Sequence, residues 1–228
     1  MKKVLILCDS HGTKWGATGY AWRVKDMLTD FDIDILEYGG ISLNKIVQDI
    51  EKSQVDLESY DVVIMGVGNP DIHPRMPKRF MNLLKKFRLT FVKDSYFSIP
   101  PVVNLSYIAR IPFFIFRLVV IRFIHETYLD QKSFLYWIRR LIQHRTKKIV
   151  IIPLLFVNPL VYTDRHNRSA KELNDTLSEL YKDSFLRDEF FQYNNYKRYH
   201  NCDFFHFNDT FHQKLSNHLV KELRNYKI

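Results

Sequence analysis

Four short aliphatic runs constrain this chain more than any other feature. They are KVLIL at 3–7, FDIDILEY at 31–38, YDVVIMGVG at 60–68 and KKIVIIPLLF at 147–156. FDIDILEY alternates and reads as the second strand; a continuous apolar run such as KVLIL marks a strand buried on both faces, and such strands belong to parallel sheets. Helical patterns lie between them. WRVKDML, within 15–30, carries apolar spacings of three and four. After the break at Gly39-Gly40, Ser42 or Asn44 can cap a helix that runs to residue 53. Residues 170–191 and 211–226 read as further helices, with CDFFHF at 202–207 between them as another strand. This alternation predicts an α/β fold, a three-layer α/β/α sandwich on a central parallel sheet of about five strands with right-handed crossovers. Its 228 residues suit one domain, and 46% hydrophobic against 26% charged residues is a globular composition.

Residues 91–146 are too long for a simple crossover and read as a helical insertion before strand four. The surrounding region also carries the charge. Residues 75–148 hold 16 Lys and Arg against 3 Asp and Glu, an excess larger than the chain's net +9. An anionic partner is the usual meaning of such asymmetry. Within it, ARIPFFIFRLVVIRFIHETY is almost wholly apolar from 111 to 124, apart from Arg117 and Arg122. That is shorter than the roughly 20 residues a spanning helix needs. Two readings stand: a core or cap helix with snorkelling arginines, or attachment of residues 104–146 to an anionic membrane surface. SFLYWIRRLIQHRTKK and MPKRFMNLLKKFRL continue the basic, aromatic character. No nucleic-acid module is recognisable, which ranks nucleic acid last among anionic partners. Cys8 and Cys202 form no disulfide framework, and no signal-peptide layout opens the chain. A cytoplasmic protein is expected, peripheral at the inner face of the membrane if the basic segment docks there.

Sites in doubly wound folds sit at the carboxyl ends of strands. CDSHG at 8–12 follows the first strand, and YGG the second. GNPD at 68–71 follows the third, and FNDTFH the last. Ser10, Gly40, Asn69 and His212 therefore converge on one sheet edge. Asp209 and His212 form D-x-x-H, in which a carboxylate can orient an imidazole for general-base work. The plainer reading makes Asp209 a helix cap, and Ser10 admits the same reading. Asp9, His11, His73 and Arg75 are candidate substrate contacts, or simply loop and turn residues. His200 and His206 flank Cys202, which could suggest a metal, but metal binding is not the expected reading. No metal or cofactor is expected.

These motifs resemble the SGNH (GDSL-type) hydrolase family. LILCDSHG resembles the first block, with Cys8 where glycine is usual. YGGIS resembles the second, through Gly40. DTFHQKLSNHL resembles the last block, D-x-x-H-P-N-x-x-G-H: Asp209, His212 and His218 match, Gln213 replaces proline and Asn217 replaces glycine. The third block, G-x-N-D, departs, because Pro70 stands where the asparagine belongs and Asn69 comes one residue early. The resemblance implies a flavodoxin-like fold and a serine esterase or related O-acyltransferase. Ser10 attacks an ester carbonyl, His212 takes its proton, and Asp209 orients His212. The N–H groups of Ser10 and Gly40, with Asn69, hold the oxyanion. An O-acyl group on a carbohydrate or glycan precursor is the implied substrate. The departure at Pro70 supports an alternative, a catalytically weak glycan-binding or scaffold protein with the same fold.

Overall fold

Four parallel strands form the sheet: β1 (Lys2–Cys8), β2 (Phe31–Glu37), β3 (Val62–Gly66) and β4 (Lys148–Ile151), in the order β2-β1-β3-β4. They belong to a computed structural model that describes residues 1–13, 18–73, 127–143, 148–157, 164–192, 196–200 and 206–226, with single helical positions at 79, 86, 115, 119, 122 and 123. The described helices are α1 (Tyr20–Met27), α2 (Leu43–Lys52), α3 (Asn69–Ile72), α4 (Gln131–Gln143), α5 (Asp164–Leu180), α6 (Tyr196–Tyr199) and α7 (Asp209–Asn225). β1 has β2 on one side and β3 on the other, so the chain leaves it in opposite directions. The crevice at that switch point is where such folds place their ligands.

Alternation along β1 divides the core in two. Val4, Ile6 and Cys8 pack with α1 and α7 residues such as Val24, Leu215 and Leu219. Leu5 and Leu7 pack on the other face with α2, α4 and α5 residues such as Ile46, Phe134 and Leu173. Both faces of the sheet are thus covered, which explains the aliphatic runs of β1 and β3, while the edge strand β2 exposes Asp32, Asp34 and Glu37.

The described sheet stops at four strands. Ile152 N–H still reaches Met65 O at 2.9 Å, but Pro153 follows and has no N–H to donate, so β4 ends early. Its outer neighbour is a single parallel bridge between Ile151 and Phe185. Residues 202–205 of the expected fifth strand lie outside the described residues. Phe207, at its end, makes one antiparallel bridge to His200 instead of joining the sheet.

Beyond Pro153 the chain remains buried, and side chains supply its hydrogen bonds. Asn174 of α5 accepts from Leu154 N–H and donates to Leu154 O, both at 2.8 Å. Asn167 pairs with Val157 in the same two-handed way, again at 2.8 Å. These polar residues explain why α5 starts at Asp164, earlier than apolar spacing predicts. His166 and Asn167 are buried in its first turns.

Residues 131–143 of the insertion form a helix packed on the core. α4 buries Phe134, Ile138 and Leu141, and Arg140 pairs with Glu51 of α2 at 2.6 and 3.1 Å. Most of 91–130 lies outside the described residues. No described helix is long and apolar enough to cross a membrane.

Candidate active site

The turn after β1 is built around Asp9. This carboxylate is fully buried. Its Oδ1 accepts from His11 N–H at 3.0 Å, and its Oδ2 accepts from Asn69 N–H at 3.3 Å and Asn69 Nδ2 at 2.9 Å. Burial pushes the Asp9 carboxyl up to about 6, against the pull of these donors. Gly12 N–H bonds to Asp9 O at 2.9 Å and closes the turn. Of the three N–H groups after Asp9, those of His11 and Gly12 are committed to Asp9. That of Ser10 has no hydrogen bond among the described residues.

Cys8 occupies the position of the usual glycine, and Gly12 accommodates it: a Cβ on Gly12 would come 2.3 Å from Cys8 Cβ. Burial pushes the Cys8 thiol up, so it stays protonated and unreactive.

Ser10 Oγ meets an imidazole, and the imidazole is that of His206, with Nε2 at 3.3 Å. His206 precedes α7, whose N-cap is Asn208, accepting from Phe211 N–H at 3.1 Å. Helix α7 therefore begins at Asp209, two residues before the sequence pattern indicates, and His212 falls inside its first turns. Asp209 does not turn toward His212. Its side chain is 70% exposed and pairs with Arg23 of α1. His212 is buried, stacked on Tyr20 at 6.5 Å between ring centroids, and its Nδ1 has no partner among the described residues. Burial, with Arg23 nearby, lowers the His212 imidazole to about 4.

His11 is buried, with its ring 5.2 Å from that of His206 and 5.3 Å from that of Phe207. Burial, then the surrounding histidines, holds it neutral, well below the ordinary imidazole value. Gly40 has φ +71, a left-handed conformation that favours glycine, and a Cβ there would meet nothing within 4 Å. Its N–H, like that of Ser10, is in no hydrogen bond among the described residues. Asn69 is a cross-brace: besides donating to Asp9, its Oδ1 accepts from Leu155 N–H at 2.8 Å. Asp71 Oδ2 accepts from Leu43 N–H at 2.9 Å and ties α3 to α2. His73 is buried edge-on to His166 at 5.4 Å. Arg75 and Cys202 lie outside the described residues. His218 pairs with Asp188 at 2.7 Å.

By sequence, the chain matches no protein-family model and no curated protein. By structure it has clear neighbours. A lipolytic protein of the G-D-S-L family from Veillonella parvula superposes with a TM-score of 0.60 at 9% identity, over 99% of this chain and 100% of that one. An esterase, EstA, from Pseudoalteromonas gives 0.55 at 9%, over 99% and 100%. Axe2, an acetyl xylan esterase from Geobacillus stearothermophilus, gives 0.55 at 15%, over 100% and 96%. This is the SGNH hydrolase fold.

Within that fold, the sequence motif reads differently. The same D-x-x-H spacing occurs twice, six residues apart: DFFH at 203–206 and DTFH at 209–212. HFNDTFH, from His206 to His212, also follows the SGNH pattern H-P-N-x-x-G-H. Phe207 stands for proline, Asn208 for asparagine, Phe211 for glycine and His212 for the final histidine. In this register His206 stands at the first histidine of the pattern, and it is the imidazole that meets Ser10 Oγ. The aspartate three positions before His206 is Asp203, which lies outside the described residues.

Proposed function

We propose that this chain is a serine ester hydrolase of SGNH type, acting through Ser10 and His206. One observation carries the reading: His206 Nε2 lies 3.3 Å from Ser10 Oγ at the carboxyl end of β1. Nε2 accepts the hydroxyl proton as Ser10 attacks an ester carbonyl, and His206 then returns that proton to the leaving alcohol. The D-x-x-H spacing gives Asp203 the role of orienting His206. Asp209, paired with Arg23, does not serve. Charge developing on the carbonyl oxygen falls to the N–H groups of Ser10 and Gly40. Asn69 Nδ2 has a second hydrogen beyond the one given to Asp9, and its main part is to hold the Asp9 turn.

The proposed substrate is an O-acyl group on a carbohydrate. The support is a structural neighbour described as an acetyl xylan esterase. Hydrolysis and transfer to a second hydroxyl share the same acyl-enzyme. A weakly active, glycan-binding role draws support from Asn69, whose amide is committed to Asp9 and Leu155. Attachment to anionic membrane draws support from Ile115, Val119 and Phe123, exposed apolar positions four residues apart beside Arg122. Flotation with vesicles with and without anionic lipid tests it, and indifference to lipid charge removes it.

The test of the main reading is covalent. Purified protein is treated with a fluorophosphonate, digested and mapped, and assayed on p-nitrophenyl acetate and acetylated xylo-oligosaccharides. Labelling at Ser10 is expected. Folded protein that takes no label there overturns the reading.

A further inference from the structure

Nucleophile and base arrive from opposite ends of the chain, yet both are braced against one short segment. On the Ser10 side, Asn69 holds Asp9 through Nδ2 and takes Leu155 N–H through Oδ1, at 2.9 and 2.8 Å. On the His206 side, His200 Nε2 lies 2.9 Å from Phe156 O. A carbonyl only accepts, so His200 carries its proton on Nε2. The two braces land on consecutive residues, Leu155 and Phe156. Asn174 and Asn167 immobilise the flanking peptides at Leu154 and Val157, each through two 2.8 Å bonds.

His200 then passes this fixed position to the base. It forms the antiparallel bridge with Phe207, the residue after His206, and the two rings lie 4.8 Å apart. Asn208 N–H bonds to Tyr199 O at 2.7 Å and closes the same contact from the other side. Phe207 in turn stacks on Phe211 at 3.9 Å, which seats the turn on α7.

We propose that His200 is a positioning residue for His206: its bond to Phe156 O sets where the His206 ring meets Ser10 Oγ. This rests on the esterase reading for its kinetic consequence, and on the fold alone for its structural one. In this role His200 touches neither Ser10 nor the substrate's ester carbonyl. It acts through the chain next to it. A displacement of about 1 Å at a reacting centre can lower a rate about 100-fold, so a lost brace is visible in turnover.

The experiment compares wild type with His200→Phe and His200→Gln. Phenylalanine keeps a ring against Phe207 and removes the donor, and glutamine restores a donor. For His200→Phe, kcat on p-nitrophenyl acetate should fall about 10- to 100-fold while KM changes less than about twofold. Fluorophosphonate labelling of Ser10 should slow in parallel, with the circular dichroism spectrum unchanged. His200→Gln should recover most of both. The ¹⁵N shifts of the His206 ring, read by NMR, should move in His200→Phe and return in His200→Gln. Unchanged His206 shifts in His200→Phe overturn the inference, as does a glutamine variant no better than phenylalanine. A wild type that neither turns over ester nor labels at Ser10 overturns the esterase reading instead, and the ring shifts still decide the role of His200.

Discussion

His206 Nε2 and Ser10 Oγ lie 3.3 Å apart although 196 positions separate them in the chain. Ser10 follows the central strand β1, and His206 precedes the last helix, which packs on the same sheet face through α1. The fold therefore closes the site only when its two ends meet.

Replacing either residue tests their pairing. Ser10→Ala should abolish fluorophosphonate labelling, and His206→Ala should lower kcat about 10²- to 10⁴-fold. His212→Gln should leave kcat at the wild-type order, since its ring packs on Tyr20. Ester hydrolysis at pH 7.5, with folding checked by circular dichroism, separates the two histidines. The reverse pattern would return the role of base to His212.

The acid stability of the fold should depend on His212. Its imidazole is lowered to about 4 when folded, against 6.5 as the ordinary value. The unfolded chain therefore binds the proton more readily. The associated stability is present above pH 6.5 and is lost as pH falls toward 4, by about 3 kcal/mol. Asp9 acts in the opposite sense. Its carboxyl is raised to about 6 from 3.8, so its contribution declines as pH rises through that window. Urea denaturation from pH 4 to 7 should show wild type losing stability relative to His212→Gln toward acid. Parallel curves would contradict the assignment.

Asn69→Ala should destabilise more than an ordinary polar truncation. It leaves Leu155 N–H buried without this partner, at about 1–3 kcal/mol for an unsatisfied group, and Asp9 Oδ2 loses its side-chain donor and keeps only the backbone N–H of residue 69. Urea midpoints should show a loss of about 2–4 kcal/mol. A loss below about 1 kcal/mol would mean that the cross-brace is not holding the turn.

Two left-handed glycines should respond differently to alanine. Gly40→Ala adds only backbone strain, about 1–2 kcal/mol, because nothing lies within 4 Å of the new Cβ. Gly68, at φ +106, would also drive its Cβ to 2.7 Å from the Phe134 ring. Overpacking adds about 1–3 kcal/mol there. Thermal melts of the two variants should therefore rank Gly68→Ala as the less stable, and the opposite order would contradict the packing.

The strands were legible because burial on both faces leaves only aliphatic residues, as in VLIL of β1. The strand-end rule likewise points to Ser10, Gly40 and Asn69 from the sequence alone. The imidazole that meets Ser10 was harder to read. Two D-x-x-H units stand six residues apart, and hydropathy does not distinguish an imidazole facing a serine from one facing a tyrosine. The deciding feature is local. Asn208, by capping α7, draws Asp209 and His212 into the helix and leaves His206 on the turn. CDFFHF has strand composition; its residues 202–205 lie outside the described residues, and Phe207 at its end pairs with His200, seven residues before it.

The asparagines of α5 have a consequence for how the molecule behaves in company. A bare sheet edge offers free N–H and C=O groups to any passing strand, which invites fibrous association. Past β4, at Leu154 and Val157, both groups are already engaged by Asn174 and Asn167. The chain has sealed its own margin at these peptides with side-chain amides, and a foreign strand finds no ladder there to extend.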